Sequence, residues 1–301
     1  MAIQRNKLNI KKARRRVQMR SALLLTLGAC LLVSATRVLL GGAGQLVPYG
    51  FRWLIECCVT LLAFGGGAYL GLCVLDGDHT KIVPMQRLSR AQLLWLSLLG
   101  MLAVCPATLV QGLMAALVGQ GLLSGGALLD GPSHFTAMIV KSVLLVPVCE
   151  ELFFRGYLLS AFERSGKLRA AVVVSLCFGL VHTLGVAQLT AYVLLSMLLC
   201  WLALHTQSLL APVIVHAAYN LALIVLGSMG LSGLFAGWSL ISCVVRLAGC
   251  ALFMAVLKRA YTARSEQGTI TLWTGETFTK REKALLCAAA LLLLATLTMG
   301  G

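Results

Sequence analysis

The sequence predicts an all-α, polytopic transmembrane helical bundle of eight or nine spans, with a core of four to five helices. Three observations predict it. The 301-residue chain is 59% hydrophobic and 12% charged, where soluble domains are about 45–50% apolar and about 25% charged. Its mean hydropathy is +0.91. The apolar residues gather in runs close to the ~20 residues that a helix needs to cross a bilayer.

The net charge of +15 raises nucleic acid as a partner, and the distribution of the charge argues against it. Most Lys and Arg fall in short segments between apolar runs. Cytoplasmic loops look like this under the positive-inside rule, and anionic lipid is the partner such loops meet. Residues 1–20 are a basic segment expected on the cytoplasmic side, with Arg5, Lys7, Lys11, Lys12, Arg14, Arg15, Arg16 and Arg20. A basic stretch before an apolar run also opens a signal peptide. Here the run continues past Cys30 to Leu40, so a retained first span, 21–40, is the better reading.

Spans one to three occupy 21–134. A glycine-rich turn at Gly41, Gly42 and Gly44 precedes the second span, 54–75. Lys81, Arg87 and Arg90 mark an inner loop, and the third span covers 91–118. The loop 119–134 holds no Lys or Arg and contains Asp130-Gly131-Pro132, as an outer turn should. A core follows at 135–228, with spans at 135–160, 171–184, 187–204 and 211–228. Arg164, Lys167 and Arg169 return the chain to the inside after the first of these. The C-terminal portion, 229–301, supplies a span at 232–257, a basic loop at 258–283 and an apolar tail, 284–299, short for a ninth span. In this threading the inner segments hold 20 of the 25 Lys and Arg. The expected location is the plasma membrane of a bacterium, N-terminus cytoplasmic.

The eleven cysteines sit in apolar segments without a CxxC pair and read as small hydrophobes. His79, His134 and His205 fall at loops or span ends, where they are expected to be solvated. Lys141 and Arg246 lie inside spans and call for snorkelling or pairing. Glu56 is expected to pair with Arg37 or Arg52.

One stretch stands apart. Glu150-Glu151-Leu152-Phe153-Phe154-Arg155-Gly156 puts three charges inside a span, where each costs roughly 2.5 to 3.5 kcal/mol on insertion scales. Such residues face the bundle interior and mark function. Other strongly polar residues at membrane depth are His182, four after Phe178, and His216, four before Asn220. Residues four apart share a helix face, which also pairs Glu151 with Arg155. At 1.5 Å per residue, Glu150 lies ~15 Å and His182 ~16 Å from the inner end of their spans, and His216 and Asn220 roughly 8–14 Å. One carboxylate, two imidazoles and an amide therefore share a depth, placed by this count nearer the cytoplasmic side.

The set suits water activation. A desolvated carboxylate beside a like charge makes a general base, and the pair titrates as a unit. Arg155 assigns the charge to Glu151 and leaves Glu150 as the base, with His182 sharing the water. His216 and Asn220 are placed to donate to an oxyanion.

Glu150-Glu151-x-x-Phe154-Arg155-Gly156, Phe178-x-x-x-His182 and His216-x-x-x-Asn220 resemble the motifs of the CPBP family. This family comprises CAAX prenyl proteases and bacteriocin-processing or Abi-type intramembrane glutamic endopeptidases. The resemblance covers about 135–228. It implies a membrane-embedded endopeptidase acting near the cytoplasmic face on a peptide or lipidated-protein substrate. Glu150 and His182 would activate water, and His216 and Asn220 would form the oxyanion hole. Glu151, Arg155 and Phe178 would support them. No cofactor is implied. Zinc is the weaker alternative, since His, His and Glu are zinc ligands, yet there is no HExxH. A non-catalytic immunity or scaffold protein, and a proton-relaying transporter, are the rival classes.

Overall fold

In hydrocarbon, backbone N–H and C=O groups must be satisfied within the segment, which leaves the helix as the form for chains like this one. The computed structural model follows that rule. It describes residues 2–42, 46–75, 84–118, 132–163, 165–182, 185–231, 233–236 and 238–262. The loops expected at 76–83 and 119–131, the basic loop beyond 262 and the short ninth span lie outside the described residues. So do His79, Arg164 and Cys287, and the side chains of His134 and of residues 2–16.

Helix α1 runs Ala2–Gly42, α2 Tyr49–Val74, and α3 over 90–118 with a break at Ala103. Helix α4 covers 132–163, α5 Lys167–His182, α6 Val186–Thr206 and α7 Leu210–Ser228. A short α8, Gly233–Ala236, precedes α9, Leu240–Thr262. Among the described residues no strand forms. Among the described residues six helices are long and apolar enough to cross a membrane: Val17–Gly41, Tyr49–Val74, Arg90–Leu117, Val186–Thr206, Leu210–Ser228 and Leu240–Arg259. The other two of the expected eight are α4, which carries the intramembrane charges, and α5, which has only 16 residues. The bundle is apolar on its outside: Leu94 is 73% exposed, Leu117 79% and Leu240 80%, as a lipid-facing surface requires.

Local sequence sets the helix ends. Ser89 and Gln92 form a capping box at the start of α3: Gln92 N–H donates to Ser89 Oγ at 3.2 Å, and Ser89 N–H donates to Gln92 Oε1 at 2.8 Å. Between α4 and α5 the chain turns at Gly166, φ 115°, a region that L side chains avoid. Close helix crossings also need glycine. A Cβ on Gly100 of α3 would strike the Val215 carbonyl of α7 and stand 2.8 Å from Ala218 Cβ. Gly67 and Gly71 of α2 likewise give room to the rings of Phe153 and Tyr157.

Two apolar cores result. One joins α1, α2, α4 and α5 around Phe64, Phe153, Phe154, Tyr157, Phe162 and Phe178. The other joins α3, α6, α7 and α9 around Leu99, Leu199, Leu202, Val215 and Phe253. Helix α4 is not regular. It opens into π-helical turns at Val140–Leu145 and Leu152–Leu158, on either side of Val146–Glu151, and α2 does the same at Leu61–Gly66. Such turns concentrate at functional sites.

Successive helices alternate in direction, so their ends sort onto two faces. On one, α1 begins, α4 ends and α5 begins. There the segment before α3 is stitched to the α6–α7 turn: Leu209 N–H donates to Pro84 O and Ser208 Oγ to Gln86 O, both at 2.8 Å. Arg259 near the end of α9 also lies over Trp95 of α3 on this side, 5.2 Å from its ring centre. Arg87, Arg90, Lys167, Arg169, Lys258 and Arg259 make this the basic face. On the opposite face, Trp53 Nε1 donates to Ala137 O at 2.8 Å, joining the start of α2 to that of α4. Arg37 Nη1 donates to Val181 O at 3.0 Å, joining the end of α1 to that of α5.

Candidate active site

The glutamates of α4 point into the seam between the two cores. Both are buried, as are Arg155 and His216. Glu151 Oε1 accepts from Arg155 Nη1 at 2.8 Å and from His216 Nδ1 at 2.8 Å. Arg155 Nη2 reaches α6, donating to Ser196 Oγ at 2.7 Å and to Ser196 O at 3.2 Å. The guanidinium also lies over the Phe178 ring, 4.7 Å from its centre. These bonds offset part of the cost of burying the ion pair, while Glu151 Oε2 and Arg155 Nε find no hydrogen-bond partner among the described residues.

This arrangement fixes both histidine tautomers. A carboxylate and a carbonyl only accept, so the ring nitrogen facing each must carry its proton. His216 donates Nδ1–H to Glu151. His182 donates Nδ1–H to Phe178 O at 2.8 Å, with its ring stacked on Phe178 at 4.2 Å between centres. Each Nε2 then faces Glu150: Oε2 lies 3.3 Å from His182 Nε2 and 4.0 Å from His216 Nε2. Neither contact is an aligned hydrogen bond, and Glu150 Oε2 accepts none from the described residues. One carboxylate oxygen and two ring nitrogens thus converge on one point.

That point is the floor of a cavity of about 590 Å³, whose walls include Tyr192, Tyr219, Asn220 and Ser142. The structure therefore brings Glu150, His182, His216 and Asn220 to one wall-and-floor surface. Glu151, Arg155 and Phe178 lie behind them. Asn220 is engaged, donating from Nδ2 to Ser142 O at 2.8 Å within the first π segment of α4. The amide has a second N–H. As for zinc, among the described residues no three His, Cys, Asp or Glu side chains are disposed as a metal-ligand group, and Glu151 Oε1 and both Nδ1 atoms are already engaged.

Several expectations require correction. The cavity does not open toward the basic end. Its walls climb from Glu150 and His216 through Lys141, Thr60, Leu223 and Glu56 to Arg52, Gly41 and Ser228, all at the opposite face. Counting residues from one helix end measured the depth of the polar groups but not which side is filled. Glu56 pairs with Lys141, and Arg37 donates to Val181 O. His205 is half-buried and stacks on Trp201 at 5.0 Å. Arg246 is fully buried, donating from Nε to Ser242 O at 3.2 Å and lying over Trp238, 4.8 Å from its ring centre. The described cysteines are free thiols.

Residues 132–222 match the family model of Rce1-like, type II CAAX prenyl endopeptidases. The resemblance to the CPBP family holds. The matched stretch contains all of Glu150, Glu151, Arg155, Phe178, His182, His216 and Asn220. A curated relative, the UPF0177 protein YxdF of Lactococcus lactis, is 33% identical over 78 residues, covering 26% of this chain and 43% of the relative. The chain thus spans less than half the length of that relative. No solved structure matches.

Sequence reasoning missed Ser196, which completes the Arg155 network, and Tyr192, whose ring lies 4.8 Å from that of His182. Ser196 carried only a faint signal, a small hydroxyl in an apolar helix. Arg37, expected as a partner for Glu56, and Lys141, expected to snorkel or pair, both line the cavity.

Proposed function

We propose that the chain is a membrane-embedded endopeptidase of the glutamic type, in which Glu150 and His182 activate a water against a peptide carbonyl. One observation carries the reading: Glu150 Oε2 and the Nε2 atoms of His182 and His216 face each other at the floor of a cavity, with each Nδ1 tied elsewhere. The similarity to the prenyl endopeptidase model supports the reaction class.

The chemistry runs as follows. A water between Glu150 and His182 gives its proton to this pair as its oxygen attacks the carbonyl carbon. Positioned general-base help of this kind is worth about 10²–10⁴-fold. The carbonyl oxygen becomes an oxyanion. The free N–H of Asn220 and a protonated His216 Nε2 are the donors for it, each worth roughly 2.7–4 kcal/mol. The Glu151 carboxylate at Nδ1 stabilises that imidazolium, and Arg155 holds Glu151. The tetrahedral intermediate then collapses, the C–N bond breaks, and the proton held by the Glu150–His182 pair passes to the leaving amine. Substrates are peptides anchored at the membrane, with prenylated CaaX tails and leader peptides as the two classes to compare.

The test is cleavage of fluorogenic membrane-anchored peptides by the purified full chain in lipid nanodiscs, with one prenylated CaaX panel and one leader-peptide panel. Wild type is expected to cleave at least one panel, and Glu150→Gln to lose about 10²–10⁴-fold in kcat while still binding the peptide. Cleavage by Glu150→Gln at the wild-type rate would overturn the mechanism. No cleavage of either panel by wild type would favour a binding or immunity role for the same cavity.

A further inference from the structure

We infer that the active cavity takes its substrate from the extracytoplasmic side of the membrane. The inference rests on the endopeptidase reading above for its chemistry, and on three separate observations for its direction.

The first is the course of the cavity. Its lining residues on α1, Val33 to Gly41, are the last turns of that helix, and those on α2, Arg52 to Phe64, are the first turns. On α4 they run from Met138 to Glu150, and on α7 from His216 to Ser228. Each of these four helices therefore contributes its portion between the buried acid and the face opposite the basic one. His216 and Ser228 are twelve residues apart, a climb of ~18 Å.

The second is what lies below the floor. Between Glu150 and the basic face, α4 buries Phe153, Phe154, Tyr157, Leu158 and Phe162, each with 0% exposure. Phe153 and Phe154 meet edge to face at 5.1 Å, and Phe154 meets Phe178 at 5.1 Å. Together with the Glu151–Arg155–Ser196 network this fills the seam from α4 to α6. A peptide entering from the basic face would have to displace this fully buried aromatic cluster.

The third is the charge. Among the described residues, the basic face holds Arg87, Arg90, Lys167, Arg169, Lys258 and Arg259, and the opposite face with the cavity wall holds Arg37, Arg52 and Lys141. Short loops rich in Lys and Arg stay in the cytoplasm. The basic face is then cytoplasmic and the cavity mouth lies outside. The substrate class narrows accordingly: a segment whose scissile bond has been carried across the membrane, or lies in its outer half. A lipidated tail held at the cytoplasmic surface has no route to Glu150.

Sidedness is measured without catalysis. Ser228 at the mouth and Met85 on the basic face are both exposed, so Ser228→Cys and Met85→Cys disturb no packing. The full-length variants, expressed in intact bacterial cells, are treated with a membrane-impermeant maleimide, and the labelling of wild type is subtracted. Ser228→Cys is expected to react in intact cells, and Met85→Cys only after permeabilisation. The reverse pattern overturns the inference. A second arm supplies an impermeant peptide substrate to right-side-out and inverted vesicles. Cleavage confined to right-side-out vesicles supports the inference, and cleavage confined to inverted ones overturns it. If neither vesicle cleaves, the endopeptidase reading fails, and the labelling still decides which way the cavity opens.

Discussion

Replacing Arg155 by Met removes the cation at the centre of the buried network and keeps most of its volume. The guanidinium makes a 2.8 Å bond to Glu151 and two bonds to Ser196, and it lies over Phe178. Glu151 is wholly buried, with His216 as its other partner. Removing one member of a buried ion pair costs about 3–5 kcal/mol, because the other charge is left uncompensated. Loss of the cation–π contact adds about 0.5–2 kcal/mol. The expected destabilisation is therefore at least about 3 kcal/mol. The double variant Glu151→Gln/Arg155→Met removes the stranded charge and should recover more than half of that loss. The assay is unfolding of the purified protein in mixed dodecyl maltoside–SDS micelles, followed by tryptophan fluorescence across a double-mutant cycle. A loss below about 1 kcal/mol for Arg155→Met, or strict additivity in the cycle, would refute the argument, since contacting residues couple by about 0.5–3 kcal/mol.

Three further outcomes are expected. Gly100→Ala forces α3 away from α7 and should cost about 1–3 kcal/mol by the same unfolding measurement, whereas Gly28→Ala, with nothing within 4 Å of the new methyl, should stay within about 0.5 kcal/mol. Asn220→Ala removes a proposed oxyanion donor and should lower kcat by about 10²–10³-fold with KM little changed; a change in KM alone would make Asn220 a structural tie to Ser142. Treatment of the active protein with 1,10-phenanthroline should leave the rate unchanged, and a loss restored by added zinc would transfer the site to the metal-dependent class.

Much of this molecule was legible in one dimension. Hydropathy located the spans because lipid and apolar cores both demand long apolar helices, and the i, i+4 rule paired Glu151 with Arg155 even where α4 widens into a π turn. The matching depths of Glu150, His182 and His216 anticipated their meeting in space. What the pattern lacked was direction. Depth along a helix is a single coordinate, and whether the space above or below a buried glutamate is filled depends on neighbours from other helices, here the Phe153, Phe154 and Phe162 rings. The Lys141–Glu56 pair was hidden for the same reason, since it joins residues 85 positions apart on helices whose facing sides hydropathy does not specify. Ser196 looked like any small residue in an apolar helix until Arg155 was seen to reach it.

The junction at Arg155 also governs how the molecule moves. The two half-bundles are riveted at mid-height by Glu151, Arg155, Ser196 and His216, so they cannot swing apart there without stranding a charge in hydrocarbon. Toward the mouth the ties are lighter: Trp53 to Ala137, Arg37 to Val181, and the partly exposed Lys141–Glu56 pair, and exposed ion pairs contribute little. The bundle is thus tied most firmly at the depth of the buried charges and more lightly at the rim of the cavity.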